Sequence, residues 1–227
     1  MSDLAEQQTD GRTTRWDSHK AQRRDLILDA AMVVVDRLGP DAGVNEIGEE
    51  AGLPRSVVYR IFKDRGDLDE QLRARIVERL MLDLRPALAL EGSISEAIDR
   101  VVGTYVGWIV KFPNLHQFLG TGSPTQRTAG SRVVTGTRTA IAVELSGIFE
   151  GVLRKQERST ELAEPLAFGL IGLVDASVNR WLSKSKTKVT ADQLAGFLAL
   201  SIRELIAVNL RGLGVEIEPS TAIADLL

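Results

Sequence analysis

The chain of 227 residues contains no cysteine. Disulfides, thiolate zinc sites, iron–sulfur clusters and cysteine nucleophiles are therefore excluded. Histidine is nearly absent, with only His19 and His116. Neither has a partner at metal-ligand spacing, and a histidine-based triad would have to use one of these two. Long apolar runs are missing as well. The longest uncharged stretch, residues 112–126, is too short to span a bilayer and carries two prolines. The first dozen residues have no apolar core of the secretory type. These readings lead us to expect a cytoplasmic protein with no membrane association. The phosphate-binding loop, the serine elbow and the zinc-helix motif are all absent. We therefore expect no enzyme, no cofactor and no metal. Aromatic residues make up only 5%, so where they cluster is informative.

What is present is an ordinary globular composition, 44% hydrophobic and 26% charged, with a net charge of -3. That is enough apolar material for a core. Such a balance does not coat the molecule in positive charge, so any contact with nucleic acid must come from a local patch.

The apolar pattern is helical throughout. Residues 1–17 are polar and patternless and read as a flexible arm. From residue 18, Ile27, Ala30, Ala31, Val34 and Leu38 mark one face of a first helix, stopped by Gly39 and Pro40. A short second helix carries Val44, Ile47 and Ala51, with Asn45 or a neighbour as its cap, and ends at Gly52. Pro54 opens a third. Leu68, Leu72, Ile76, Leu80 and Leu84 run along a fourth, from Asp67 to Pro86. Ser93 with Glu96 has capping-box spacing at the start of a fifth helix, which ends at Pro113. A short piece over 114–119 leads to a Gly/Ser/Thr/Pro-rich loop and a helix over 126–156. Ser159 or Thr160 starts the next, and Thr190 caps the last, followed by a loose tail from Gly212. The expected fold is all-α, about nine helices.

Residues 44–62 have helix-turn-helix form, two short helices joined by Gly52-Leu53-Pro54. If Ile47, Ala51, Leu53, Val58 and Phe62 face inward, the third helix presents Arg55, Ser56, Tyr59, Arg60 and Lys63 outward. Residues 53–63 hold three basic residues and no acidic one, although residues 1–68 hold 10 basic and 13 acidic. The positive field is a strip.

Here the chain resembles the TetR family of bacterial transcriptional regulators. The resemblance rests on Arg24, Ile27, Leu28, Ala30 and Ala31, then Gly39, then Ile47, Ala51, Gly52 and Leu53, then Tyr59, Phe62, Arg65 and Leu68 at the family's spacing. It implies a two-domain, all-helical homodimer that binds double-stranded operator DNA. The implied division is a helix-turn-helix domain over 18–66, a helical effector-binding and dimerisation domain over 67–212, and a tail over 213–227. Three positions depart from the family pattern. Pro54 stands where Ser or Thr is common, Ile61 where His or Tyr is common, and Arg65 where Lys is usual.

The expected DNA-contacting residues are Arg24, Arg55, Ser56, Tyr59, Arg60, Lys63 and Arg65. Arg55, in the first turn of the recognition helix, is placed to read base edges. The Tyr59 hydroxyl, by the resemblance, and Lys63 and Arg65 by charge, serve phosphates. Lys20 and Arg23 read as a second basic run, and Arg12 and Arg15 as arm residues that reach a minor groove. For the effector chamber that the resemblance implies, Tyr105, Trp108, Phe112, Phe118 and Trp181 are the aromatic candidates, suited to a small apolar, lipid-like molecule. Residues 169–182 are loosely similar to lipid-responsive actinobacterial members of the family. Arg127, Arg132 and Arg138 are candidates for a phosphate-bearing head group. The dimer interface is expected on the last two long helices, through Leu166, Gly169, Leu170, Leu173, Leu198, Ile202 and Leu205. Two functional readings stand at this point: a repressor released from a palindromic operator by its effector, or a helical ligand-binding or interaction protein whose helix-turn-helix is not functional.

Overall fold

In a computed structural model the described residues fold mainly into helices. The structure describes residues 3–120, 131–183, 188–218 and 220–226, with side chains from residue 19 onward. Among these, ten helices are present and no strand.

The molecule divides into two units, Met1–Ile76 with Asn114–Ser131, and Val77–Pro113 with Arg132–Leu227. In the first unit, α1 (Asp3–Leu38), α2 (Val44–Glu50) and α3 (Arg55–Ile61) pack on one another. Ile27, Ala31, Val34, Ile47, Val58, Phe62 and Leu68 are sealed from solvent. α1 begins at Asp3, so the segment read as an arm continues the first helix. α4 (Arg65–Ala87) starts in the first unit and ends in the second, with Pro86 in its last turn. Asp64 caps it by accepting from the Asp67 N–H at 2.8 Å. α6 (Pro113–Gly120) groups with the first unit from Asn114 on, against the expectation that everything after residue 66 forms the second domain. Asn114 donates to the Asp36 carbonyl at 2.7 Å, and the buried Phe118 ring lies 5.0 Å from the Arg73 guanidinium.

In the second unit, α5 (Ile94–Lys111) opens with the expected box, in which the Ser93 hydroxyl accepts from Glu96 N–H and Glu96 accepts from Ser93 N–H. α7 (Arg132–Lys155) packs on α8 (Ala163–Leu182), and α9 (Ala191–Gly212) packs on α5 and α8. Thr190 with Gln193 forms a second box at the head of α9. α8 starts later than expected, at Ala163, and has no side-chain cap. The tail is folded. Ile94 donates to the Thr221 carbonyl and Ile223 to the Gly92 carbonyl, at 3.1 and 3.0 Å. The last helix, α10 (Ile223–Leu226), follows with Ile223 buried. Val215 joins a core of Phe149, Val152, Leu153, Ala167, Leu170 and Leu210.

Candidate nucleic-acid interface

The turn between α2 and α3 closes through a glycine-ended helix stop. Leu53 donates to the Gly48 carbonyl at 2.8 Å and Gly52 to the Glu49 carbonyl at 3.1 Å, with Gly52 at φ +64°. This paired pattern is the Schellman arrangement, and it turns the chain sharply into the next helix. Gly48 is also required: a Cβ there would stand 2.7 Å from the Leu53 carbonyl oxygen. Sequence reading found Gly52 and missed Gly48. The signal for it was a glycine placed mid-helix, four residues before the stop. α2 is preceded by Gly43 as cap with no side-chain bond. Asn45, expected near that cap, instead accepts from Arg55 Nη1 at 3.1 Å.

That contact organises the outward face of α3. Arg55 is held on one side by Asn45 and on the other by Tyr59, with Nη2 3.5 Å from the tyrosine oxygen and the guanidinium 5.3 Å from the ring centre. The arrangement fixes the direction of a planar five-donor group while leaving N–H bonds for another acceptor. Ser56, Arg60 and Lys63 are exposed, and Tyr59 is 39% exposed. The backbone N–H of Lys63 is fixed by Asp67 at 2.9 Å, which holds the loop after α3. No side-chain cap opens α3, where Pro54 stands.

Two expected DNA contacts are placed differently. Arg65 is turned inward, its Nε on Asp69 at 2.7 Å and its Nη1 on the Ala42 carbonyl at 2.8 Å. It ties α4 to the loop before α2, and the outward set loses it. Asp69 is buried, and that desolvation pushes its pKa up against the pull of Arg65 and Arg73. Arg24 is partly buried, with Nε shielded from solvent and unbonded among the described residues. Lys20 and Arg23 are exposed. Arg12 and Arg15 lie where side chains are not described, and Arg127 lies outside the described residues.

The aromatic candidates belong to both units. Tyr105 and Trp108 share α5 and Phe112 is its C-cap, with the Trp108 and Phe112 rings 5.5 Å apart. Trp181, partly buried at the end of α8, donates to the Val189 carbonyl at 2.9 Å. Phe118 belongs to the first unit, against Arg73. Arg132 is exposed, whereas Arg138 pairs with Asp175. His116 is buried in α6.

The interface candidates on α8 and α9 also divide. Leu170 and Leu198 are core residues, 4% and 0% exposed, and are corrected from interface to interior. Leu166, Leu173 and Ile202 are partly buried, while Gly169 and Leu205 are exposed. The larger exposed apolar groups are Phe168, Phe197, Leu200 and Val208.

No family model matches the sequence. The chain is 25% identical over 193 residues to an uncharacterized HTH-type transcriptional regulator of Mycobacterium tuberculosis, across 85% of this chain and 80% of the relative. It is 22% identical over 165 residues to the HTH-type transcriptional activator FasR of Mycolicibacterium smegmatis, across 73% and 74%. Among solved structures, a TetR-family transcriptional regulator of Streptomyces coelicolor superposes with a TM-score of 0.66 at 21% identity, over 85% of this chain and 83% of that one. The transcriptional regulator FadR of Bacillus subtilis, solved in complex with stearoyl-CoA, superposes with a TM-score of 0.56 at 20% identity, over 80% and 96%.

Proposed function

Because this chain has the fold of the TetR-family regulators, we propose that it is a transcriptional regulator that binds a near-palindromic operator as a homodimer and is released by a small apolar effector. The observation that carries the reading is the Arg55 brace. Asn45 and Tyr59 aim a guanidinium from the first turn of α3, where a recognition helix meets base edges. Arg pairs bidentately with guanine O6 and N7. Tyr59, Ser56, Arg60 and Lys63 surround it and serve the phosphates that set register.

A dimer supplies two such helices, and one turn of DNA, roughly 34–36 Å, sets the spacing they must match. Exposed Phe197, Leu200 and Val208 on α9 and Phe168 on α8 support a four-helix interface, two helices from each subunit. Open space beside Gly169, Gly172 and Gly196 suits close helix approach. The effector reading is supported by Tyr105 and Trp108 on α5, with Phe112 at its C-cap, and by the likeness to FadR, which was solved with stearoyl-CoA. α4 runs from one unit into the other, which makes it the element through which an effector changes the spacing. The effector shifts DNA binding by as much as its affinity differs between the two states.

The test is selection of a binding sequence from a random duplex library, followed by titration of Arg55→Ala and Tyr59→Phe. We expect Arg55→Ala to lose about 1–3 kcal/mol and relax base preference, and Tyr59→Phe to weaken binding at every sequence. Unchanged affinity in both variants, or no enriched sequence, overturns the reading in favour of a helix-turn-helix without DNA function.

A further inference from the structure

The outward face of α3 depends on residues that α3 does not carry. Of the two groups that hold Arg55, the Tyr59 oxygen stands at 3.5 Å, long for a hydrogen bond, and the Asn45 oxygen at 3.1 Å is the better acceptor. Asn45 is exposed in the first turn of α2, so its own position is only as firm as that turn. The head of α2 has no side-chain cap bond, because Gly43 occupies the capping position. Arg65, the first residue of α4, grips it from outside the helix. Its Nη1 donates at 2.8 Å to the carbonyl of Ala42, the residue before that cap, and its Nε donates to Asp69 at 2.7 Å. Asp69 is 2% exposed, so the other edge of the guanidinium is fixed by a carboxylate inside the fold. Charge-assisted bonds of this kind are the strong ones.

We propose that Arg65 is a positioning residue for base reading: from inside the fold it fixes the head of α2, and with it the Asn45 oxygen that aims Arg55, without touching DNA. The inference rests on the reading of α3 as a recognition helix and adds a determinant of its specificity. The charge of Arg65 is already met by Asp69, which leaves little positive field for a phosphate. Arg55, by contrast, keeps N–H bonds beyond those given to Asn45 and Tyr59, and a pair with guanine takes two. An exposed arginine has many rotamers, and ordering it at an interface weakens the complex. That penalty falls only on a complex that uses Arg55 to read a base. A loosened Arg55 therefore shows as lost discrimination and not as uniformly weaker binding. Lysine in place of Arg65 keeps the charge but lacks the planar fork that reaches two acceptors at once.

The experiment is fluorescence-anisotropy titration of the full chain, at several salt concentrations, with the duplex enriched from a random library. Variants of that duplex at the base that Arg55→Ala ceases to discriminate are titrated beside it. Arg65→Lys and Asn45→Ala are each expected to lose roughly threefold to tenfold of the preference for that base, while binding to unrelated duplex stays at the wild-type level. Arg65→Gln should lose the same preference and keep the wild-type slope of log affinity against log salt, whereas loss of a phosphate contact reduces that slope by about one. In an Arg55→Ala background none of these substitutions should change base preference further. Asn45 is exposed, so its variant gives the answer even where a change at Arg65 unfolds the chain, which circular dichroism melts report. A slope reduced by about one in Arg65→Gln overturns the proposal. So does an unchanged preference in Asn45→Ala or in folded Arg65→Lys, and so does an effect that persists without Arg55. A library with no enriched sequence, or an enriched one to which Arg55→Ala is indifferent, overturns the recognition-helix reading and the proposal with it.

Discussion

One missing methyl group decides how α3 is presented. Gly48 lies under the Leu53 carbonyl, and the atom it would strike is backbone, which cannot rotate away. Gly48→Ala should therefore destabilise the protein by roughly 1–3 kcal/mol in urea melts, the usual range for overpacking, and weaken operator binding through the displaced turn. A melt equal to wild type would show that the turn can shift freely. Tyr105 gives a second check at this scale. The chain has two tyrosines, so in Tyr59→Phe the absorbance near 295 nm reports Tyr105 alone, and its ionisation is expected at about pH 12. The folded value lies above the ordinary one of 10.0. Its stabilisation is therefore complete below pH 10 and fades as pH rises from there to the folded value. Thermal melts of this variant should fall more steeply over that window than those of Tyr59→Phe/Tyr105→Phe. The outward strip on α3 was legible in the sequence because helical spacing fixes what shares a face. The inward turn of Arg65 was not, since it depends on Ala42, 23 residues away, offering a carbonyl within reach.

Helix limits follow the same division. The Ser93–Glu96 box and the Thr190 cap formed where the sequence placed them, because a cap involves residues only three apart; the part of Gln193 in a second box was not foreseen. The start of α8 escaped the same reasoning. Ser159 and Thr160 offered hydroxyls, but the helix begins at Ala163 without one, after a turn in which Arg158 donates to the Leu153 carbonyl. The tail escaped it too. Its glycines and proline suggested a loose end, yet residues 221–223 pair with the α4–α5 connection. Arg100 also holds that connection, donating to the carbonyls of Ala87, Ala89 and Glu91. The connection that leaves α4 is thus held by both α5 and the tail. Ile223→Ala should lower stability by about 2–5 kcal/mol, the cost of truncating a buried Ile, measured by denaturant titration. A change below about 0.5 kcal/mol, the surface-substitution level, would mean the tail is not a working part of the core.

At the scale of the whole molecule, the expectation concerns assembly. Phe197 and Val208 are 53% and 56% exposed on α9. We expect an apolar helix face of this kind to be an association surface. Phe197→Glu with Val208→Glu should give a folded monomer by light scattering at micromolar concentration, with operator affinity sharply reduced. A monomeric wild type would defeat the dimer, and a variant that stays dimeric would move the interface elsewhere.

Local rules carried the chain a long way: helical content, the glycine-stopped turn, the basic strip after Pro54 and the caps at Ser93 and Thr190 all depend on neighbours within a few residues. Folding in three dimensions settled matters that such rules leave open. On α8 and α9 nearly every face is apolar, so period alone could not tell Leu170 and Leu198, which are covered, from Phe197 and Val208, which are not. Coverage is decided by helices distant in the chain. The same holds for α6, grouped with the first unit by Asn114 and Phe118, and for Arg138, whose charge is met by an aspartate 37 positions on. A residue's type sets what it can bond to, and only the packed chain sets which partner comes within reach.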